Sequence, residues 1–166
     1  ALGRLFQNSS SAERYFGTRP EQDDFRAILN AMQQAVERVA RYPLKNISVK
    51  ENSKPLVNYL RTLMAHKKTE QFMLASLDRD GLVINDGILH RGSVDHTPVY
   101  PREVANFAIN HGADSIIMVH NHPSDHTYFS IPDIEMTRMI EKALEGIGIG
   151  VYDHFLVTPS GHRSFL

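Results

Sequence analysis

With 166 residues, 42% of them hydrophobic and 22% charged, the chain has the make-up of one ordinary folded domain with a short extension, and wholesale disorder is excluded. Eighteen Lys+Arg against nineteen Asp+Glu leave a formal charge of −1, which excludes a strongly basic nucleic-acid wrapper. The absence of cysteine excludes a disulfide framework, a thiolate nucleophile and thiolate metal ligation. Apolar runs such as Ile116 to Val119 fall far short of the roughly 18 to 20 residues that span a bilayer. Residues 1–20 carry Arg4, Arg14 and Arg19 but no apolar stretch, unlike a secretory leader, so a soluble cytoplasmic protein is expected.

Residues 1–20 are polar and irregular, with Asn8 to Ser11 and Gly17 to Pro20 as breakers, and read as an arm. From Glu21 to Tyr42 the apolar residues Phe25, Ile28, Leu29, Met32, Ala35, Val36 and Val39 recur at steps of three and four. This predicts an amphipathic helix stopped by Pro43, its stripe facing the core or a partner, a second copy of the chain included. A second helix is predicted from Lys54 to about Met64, with Pro55 suited to its first turn. The period then changes. Gln71 to Leu77 and Leu82 to Leu89 read as strands joined by the turn pair Asp80-Gly81, a hairpin over 70–90.

Pro101 to His111 reads as a helix with Val104, Phe107 and Ala108 inward and Gly112 at its end. Ser115 to His120 is a compact buried strand, followed by a polar loop over 121–129. The next helix opens at Ser130, with Met136, Met139, Ile140, Ala143, Leu144 and Ile147 as its stripe. Ile149 to Val157 is a strand, and the turn Pro159-Ser160-Gly161 leads to a last short strand from Arg163 to Leu166. There are no internal repeats. The alternation of strands and helices predicts a layered α/β or α+β domain over 46–166, preceded by the arm and helix of 1–45.

One segment carries the chemistry. His120 and His122, at i and i+2 on an extended segment, project from the same face, and Pro123 keeps His122 out of the helical region. Two imidazoles on one face plus a carboxylate from a neighbouring element make three ligands for a tetrahedral zinc, leaving the fourth position to water as in a catalytic site. Asp133 can be that carboxylate, because it opens the helix after the loop. Ser130 and Asp133 also fit a helix-capping pattern, and a rigid cap and a metal ligand are compatible roles.

His120-x-His122, ten intervening residues and Asp133, with Ser130 three before it, resemble the JAMM motif of the JAB/MPN metalloproteases. Pro101 to Val104, His120 to Ser124, Asp153-His154 and the closing Ser164-Phe165 are similar to the RadC-like branch of that superfamily, over roughly residues 46–166. The resemblance implies a three-layer α-β-α JAB/MPN, cytidine-deaminase-like fold with a mixed sheet. It implies zinc on His120, His122 and Asp133, and hydrolysis of a peptide or isopeptide amide in a protein or peptide substrate, ubiquitin-like conjugates among the candidates. Glu70, which alone would read as a solvated strand-end charge, falls where the family places the glutamate that accepts the proton of the attacking water and passes it to the leaving amine. Ser130 matches the family's oxyanion-stabilising serine, and His154 a recurring position beside the site.

Two departures stand out. The RadC-like string continues with glycine after His-Asn-His-Pro-Ser, whereas here Asp125-His126 follows, which bears on loop shape and substrate fit. His126 is either an alternative ligand or an exposed loop histidine. Residues 1–45 also lack the glycine-containing hairpin of a helix-hairpin-helix DNA-binding module. Weak or no DNA binding is therefore expected, and the rival reading is a DNA-repair-associated accessory protein with little or no protease activity. His66, His90, His96, His111 and His162 have no ligand spacing and are expected at the surface.

Overall fold

A computed structural model of the chain describes residues 19–92 and 99–166, without the side chains of 19–22. In chain order the elements are α1 (Arg19–Arg41), a 3-10 turn (Tyr42–Lys45), α2 (Lys54–Met64), β1 (Gln71–Leu77), β2 (Val83–Arg91), α3 (Pro101–Asn110), β3 (Ser115–Asn121), α4 (Ile131–Glu145), β4 (Gly150–Val157) and β5 (His162–Ser164). His96 and residues 1–18 lie outside the described residues. No helix among the described residues is long and apolar enough to cross a membrane.

The five strands form one mixed sheet in the order β2-β1-β3-β4-β5. β1 pairs antiparallel with both β2 and β3, β3 runs parallel to β4, and β5 returns antiparallel along β4. The β1–β2 hairpin turns where Asp78 Oδ1 accepts the N–H groups of Asp80 and Leu82. Gly81 there takes φ of +84°, and a Cβ would meet Lys50 and Ser48 at 2.8 Å, so the glycine is required twice over.

Alternation along the strands sends residues to two cores. On one face Met73, Ala75, Ile117, Val119 and Phe155 pack with Leu56, Leu60 and Met64 of α2. On the other, Phe72, Leu74, Ile116 and Met118 pack with Val104 and Ala108 of α3 and Ile140 and Leu144 of α4. The result is helix, sheet, helix: the three layers implied by the resemblance.

The boundaries depart from the sequence reading in several places. α1 ends at Arg41, one residue short of the expected Tyr42, and Pro43 sits in the first turn of the 3-10 segment that follows. β2 runs to Arg91, because Phe72 and Gln71 at the start of β1 pair with His90 and Arg91. β3 extends to Asn121, opposite Val157. The last strand is His162–Ser164, pairing Val157 with His162. α1 packs on α2, and its end is tied to the sheet by Arg41 and Asp86, 2.5 Å apart; Asp86 also accepts the Tyr59 hydroxyl at 2.6 Å. Its stripe is not buried: Ile28, Met32, Val36 and Val39 are exposed.

Candidate metal centre

The centre sits where β1 begins and β3 ends, beside the start of α4. Phe72 is opposite His120 in the β1–β3 ladder, so Glu70, two residues before Phe72, reaches the same face as His120. Beyond Asn121 the chain leaves the strand with the His122 N–H still bonded to the Val157 carbonyl, 3.0 Å away. That bond turns His122 back towards His120. Asp133 arrives from the first turn of α4.

His120 Nε2 and His122 Nε2 are 3.1 Å apart, and Asp133 Oδ1 and Oδ2 stand 3.5 and 3.6 Å from them respectively. Ligands about 2.0 to 2.1 Å from a tetrahedral zinc are separated from each other by about 3.3 Å. The three residues therefore fit such an ion. Each histidine turns its other ring nitrogen to a protein partner: His122 Nδ1–H donates to the His126 carbonyl at 3.0 Å, and His120 Nδ1 faces His154 Nε2 at 2.8 Å. Among the described residues this is the one group of three or more His, Asp or Glu side chains placed to hold a metal.

Electrostatics agree with that arrangement. Burial by itself would raise the Asp133 carboxyl, but the His120 and His122 imidazoles that face it and the hydrogen bonds from Ser130 hold it far below the carboxylate range. Burial works against protonation of His122, yet Asp133, the His126 carbonyl and Glu70 outweigh it and push the imidazole up. The cluster is a preformed well for positive charge. Glu70 Oε1 stands 3.8 Å from His122 Nε2, near the centre without belonging to the ligand triad.

Ser130 caps α4 with a complete capping box. Its Oγ accepts the Asp133 N–H at 3.2 Å and donates to Asp133 Oδ2 at 2.6 Å, while its own N–H donates to Oδ2 at 2.7 Å. The cap thus leaves Asp133 facing both histidines, and Ser130 orients the carboxylate. His126 supplies a main-chain carbonyl; its exposed ring stacks on Tyr128 and is not in the ligand group. Asp125, standing in the place of the family glycine, takes φ of +64° and its carboxylate accepts the Ser160 N–H at 2.9 Å. His66, His111 and His162 are exposed, whereas His90 is half-buried against Glu103 at 2.5 Å, contrary to a surface placement.

A family profile for the RadC-like JAB domain matches residues 50–166. The chain belongs to this family. Among its relatives are a UPF0758 protein of Ruegeria pomeroyi and a UPF0758 protein of Rhodobacter capsulatus, each 41% identical over 137 residues, or 82% of this chain. The chain spans 61% of the length of the first and 64% of the second.

Two residues that sequence reasoning passed over help build the RadC-like centre. Asn121, between the two histidines, bonds to the main chain at Thr69 and Gln71, either side of Glu70. Thr137, fully buried one helical turn after Asp133, bonds to His154. The i, i+4 spacing from Asp133 was the available signal for Thr137; it was masked by the apolar stripe around it. An aromatic wall of Phe129 and Phe165 covers His154, with ring centres 5.0 and 6.3 Å from it.

Proposed function

We propose that the chain is a zinc-dependent hydrolase of peptide or isopeptide amide bonds. The observation that carries this reading is the meeting of His120, His122 and Asp133 at ligand spacing with an additional carboxylate, Glu70, beside them. A zinc ion held there would supply Lewis acidity and lower the pKa of water toward about 7. Glu70 takes the proton of the attacking water and returns it to the departing amine, so that no covalent enzyme intermediate is needed in a chain without cysteine. Ser130 has a supporting part. Its hydroxyl hydrogen is held by Asp133 Oδ2, and stabilising an oxyanion requires it to turn away from that carboxylate.

A cleft of about 280 Å³ opens beside the centre, with Glu70, His120 and Asp133 on its polar side and Val99, Met136 and Met139 on its apolar side. That lining suits an amide flanked by an aliphatic group, which a lysine stem in an isopeptide supplies as well as a peptide side chain does. The test is metal analysis of purified protein followed by a screen of zinc-loaded protein against peptide and lysine-linked isopeptide panels. Cleavage that disappears on chelation and returns with zinc is the expected result. Failure to take up zinc, or cleavage indifferent to chelation, would overturn the reading.

A further inference from the structure

Buried behind the centre, a line of hydrogen bonds runs from His120 into the body of the domain. Three regular spacings assemble it. His120 on β3 and His154 on the adjacent β4 face the α4 side of the sheet, near register partners, since Met118 lies opposite His154 and His120 opposite Leu156. On α4, Thr137 follows Asp133 by four residues and lies on the same helical face. His154 is 1% exposed and Thr137 0%.

The direction of each bond follows from what each atom can give. Thr137 Oγ1 is 2.7 Å from the Asp133 carbonyl oxygen, which has no hydrogen to offer, so the threonine hydroxyl donates there. Its one hydrogen is then spent. The 2.7 Å contact between Thr137 Oγ1 and His154 Nδ1 therefore needs the proton on His154 Nδ1, which leaves a lone pair on His154 Nε2. That lone pair, 2.8 Å from His120 Nδ1, needs the proton on His120 Nδ1. His120 Nε2 is left with its lone pair pointing at His122 and Asp133.

We infer that Thr137 and His154 are positioning residues that fix the Nδ1–H tautomer of His120 and so present its Nε2 to a divalent cation. Reversing the line would put the proton on His120 Nε2, directed into the centre, where a cation could not be bound. Asp133 is drawn in from both ends, since its carboxylate faces the two histidines while its main-chain carbonyl anchors the line that orients one of them. The inference rests on reading the centre as a metal site, but the tautomer itself belongs to the metal-free chain.

The experiment compares the parent with Thr137→Val, which keeps the volume and loses the hydroxyl, and Thr137→Ser, which keeps the hydroxyl and loses the methyl. Nitrogen-15 NMR of the histidine rings in the metal-free proteins reads the tautomers, and competition with a chelator reads zinc affinity. Parent and Thr137→Ser should show His120 and His154 protonated on Nδ1 and zinc affinities within about threefold of each other, while Thr137→Val should show mixed tautomers and zinc binding weakened about 10- to 100-fold. Thermal unfolding of the metal-free variants confirms that both are folded. A role in packing alone reverses the order, with Ser at least as damaging as Val, and that order would overturn the inference; so would a parent His120 protonated on Nε2. If the parent shows the Nδ1–H tautomer yet takes up no zinc, the tautomer-fixing line stands and the metallohydrolase reading falls.

Discussion

Asn121 grips the main chain on both sides of Glu70: its Oδ1 accepts the Gln71 N–H at 2.8 Å and its Nδ2 donates to the Thr69 carbonyl at 3.2 Å. The residue between the two histidines of the candidate centre thus anchors the main chain on both sides of the glutamate. The amide is 1% exposed, and its bond to the Gln71 N–H is buried away from water. Asn121→Leu keeps the size and removes both bonds, leaving a buried N–H unpaired at a cost of about 1 to 3 kcal/mol. Denaturant unfolding should record that loss. Zinc stoichiometry should survive, because the ligands are untouched, while turnover falls as Glu70 drifts. Unchanged turnover with the stability loss would mean that Glu70 needs no such anchor.

Glu70 itself gives the most direct separation of binding from chemistry. Glu70→Gln is nearly isosteric and can still hydrogen-bond water, but cannot accept a proton. The variant should keep its fold and one zinc per chain, and lose about 100- to 10,000-fold in turnover, roughly 3 to 5 kcal/mol of transition-state stabilisation. Single-turnover kinetics on a cleavable amide, with zinc content measured on the same sample, checks both halves. Near-parent turnover in the zinc-loaded variant would move the shuttle to another residue.

Metal binding should depend on pH through His122. Its imidazole is pushed up because Asp133, the His126 carbonyl and Glu70 outweigh the effect of burial. Below the raised pKa the centre holds a proton on His122 that a cation must displace, and above it the nitrogen is free. Apparent zinc affinity should therefore rise by about tenfold per pH unit through the acid side and level off once His122 is neutral. His122→Ala should abolish most affinity at every pH. Chelator competition from pH 5 to 8 follows both, and a flat profile in the parent would contradict the ligand assignment.

The meeting of His120, His122 and Asp133, the strand–helix order and the three layers were legible because they rest on local rules: period two on strands, period three to four on helices, and capping at Ser130. What escaped was what depends on two strands being neighbours. Nothing in the string of residues says that β3 lies between β1 and β4, so the grip of Asn121 on the start of β1 and the contact of His120 with His154 could not be read off. Thr137 was hidden inside an apolar stripe, where a threonine looks like filler. His90 was assigned to the surface for the same reason; its partner Glu103 comes from α3, across the sheet face. Pro43 was legible as a stop, since α1 ends at Arg41 and the proline, which cannot continue an α-helix, sits in the 3-10 turn that follows.

Asp125 shows how the loop absorbs its departure from the family string. The position demands φ of +64°, which glycine meets without strain and aspartate tolerates better than most side chains. Aspartate adds what glycine lacks: its carboxylate takes the Ser160 N–H at 2.9 Å and pins the loop to the turn between β4 and β5. The next residue, His126, offers the carbonyl that orients His122. Backbone conformation here is therefore linked to the metal ligand through a single peptide. Asp125→Asn should behave like the parent, keeping both the conformation and an acceptor. Asp125→Gly should keep the conformation, lose the pin and change zinc affinity little. Asp125→Val, β-branched and forced into the left-handed region, should shift the His126 carbonyl and weaken zinc binding by about tenfold, the low end of what losing an outer partner of a ligand costs. The main-chain hydrogen bond to Ser160 holds the Asp125 carboxyl below its usual range, so its contribution is present near neutral pH and is lost as the pH falls through that lowered value. Chelator competition on the four proteins at pH 7 orders them; equal affinity in Asp125→Val and Asp125→Gly would show that the loop conformation does not reach the metal ligand.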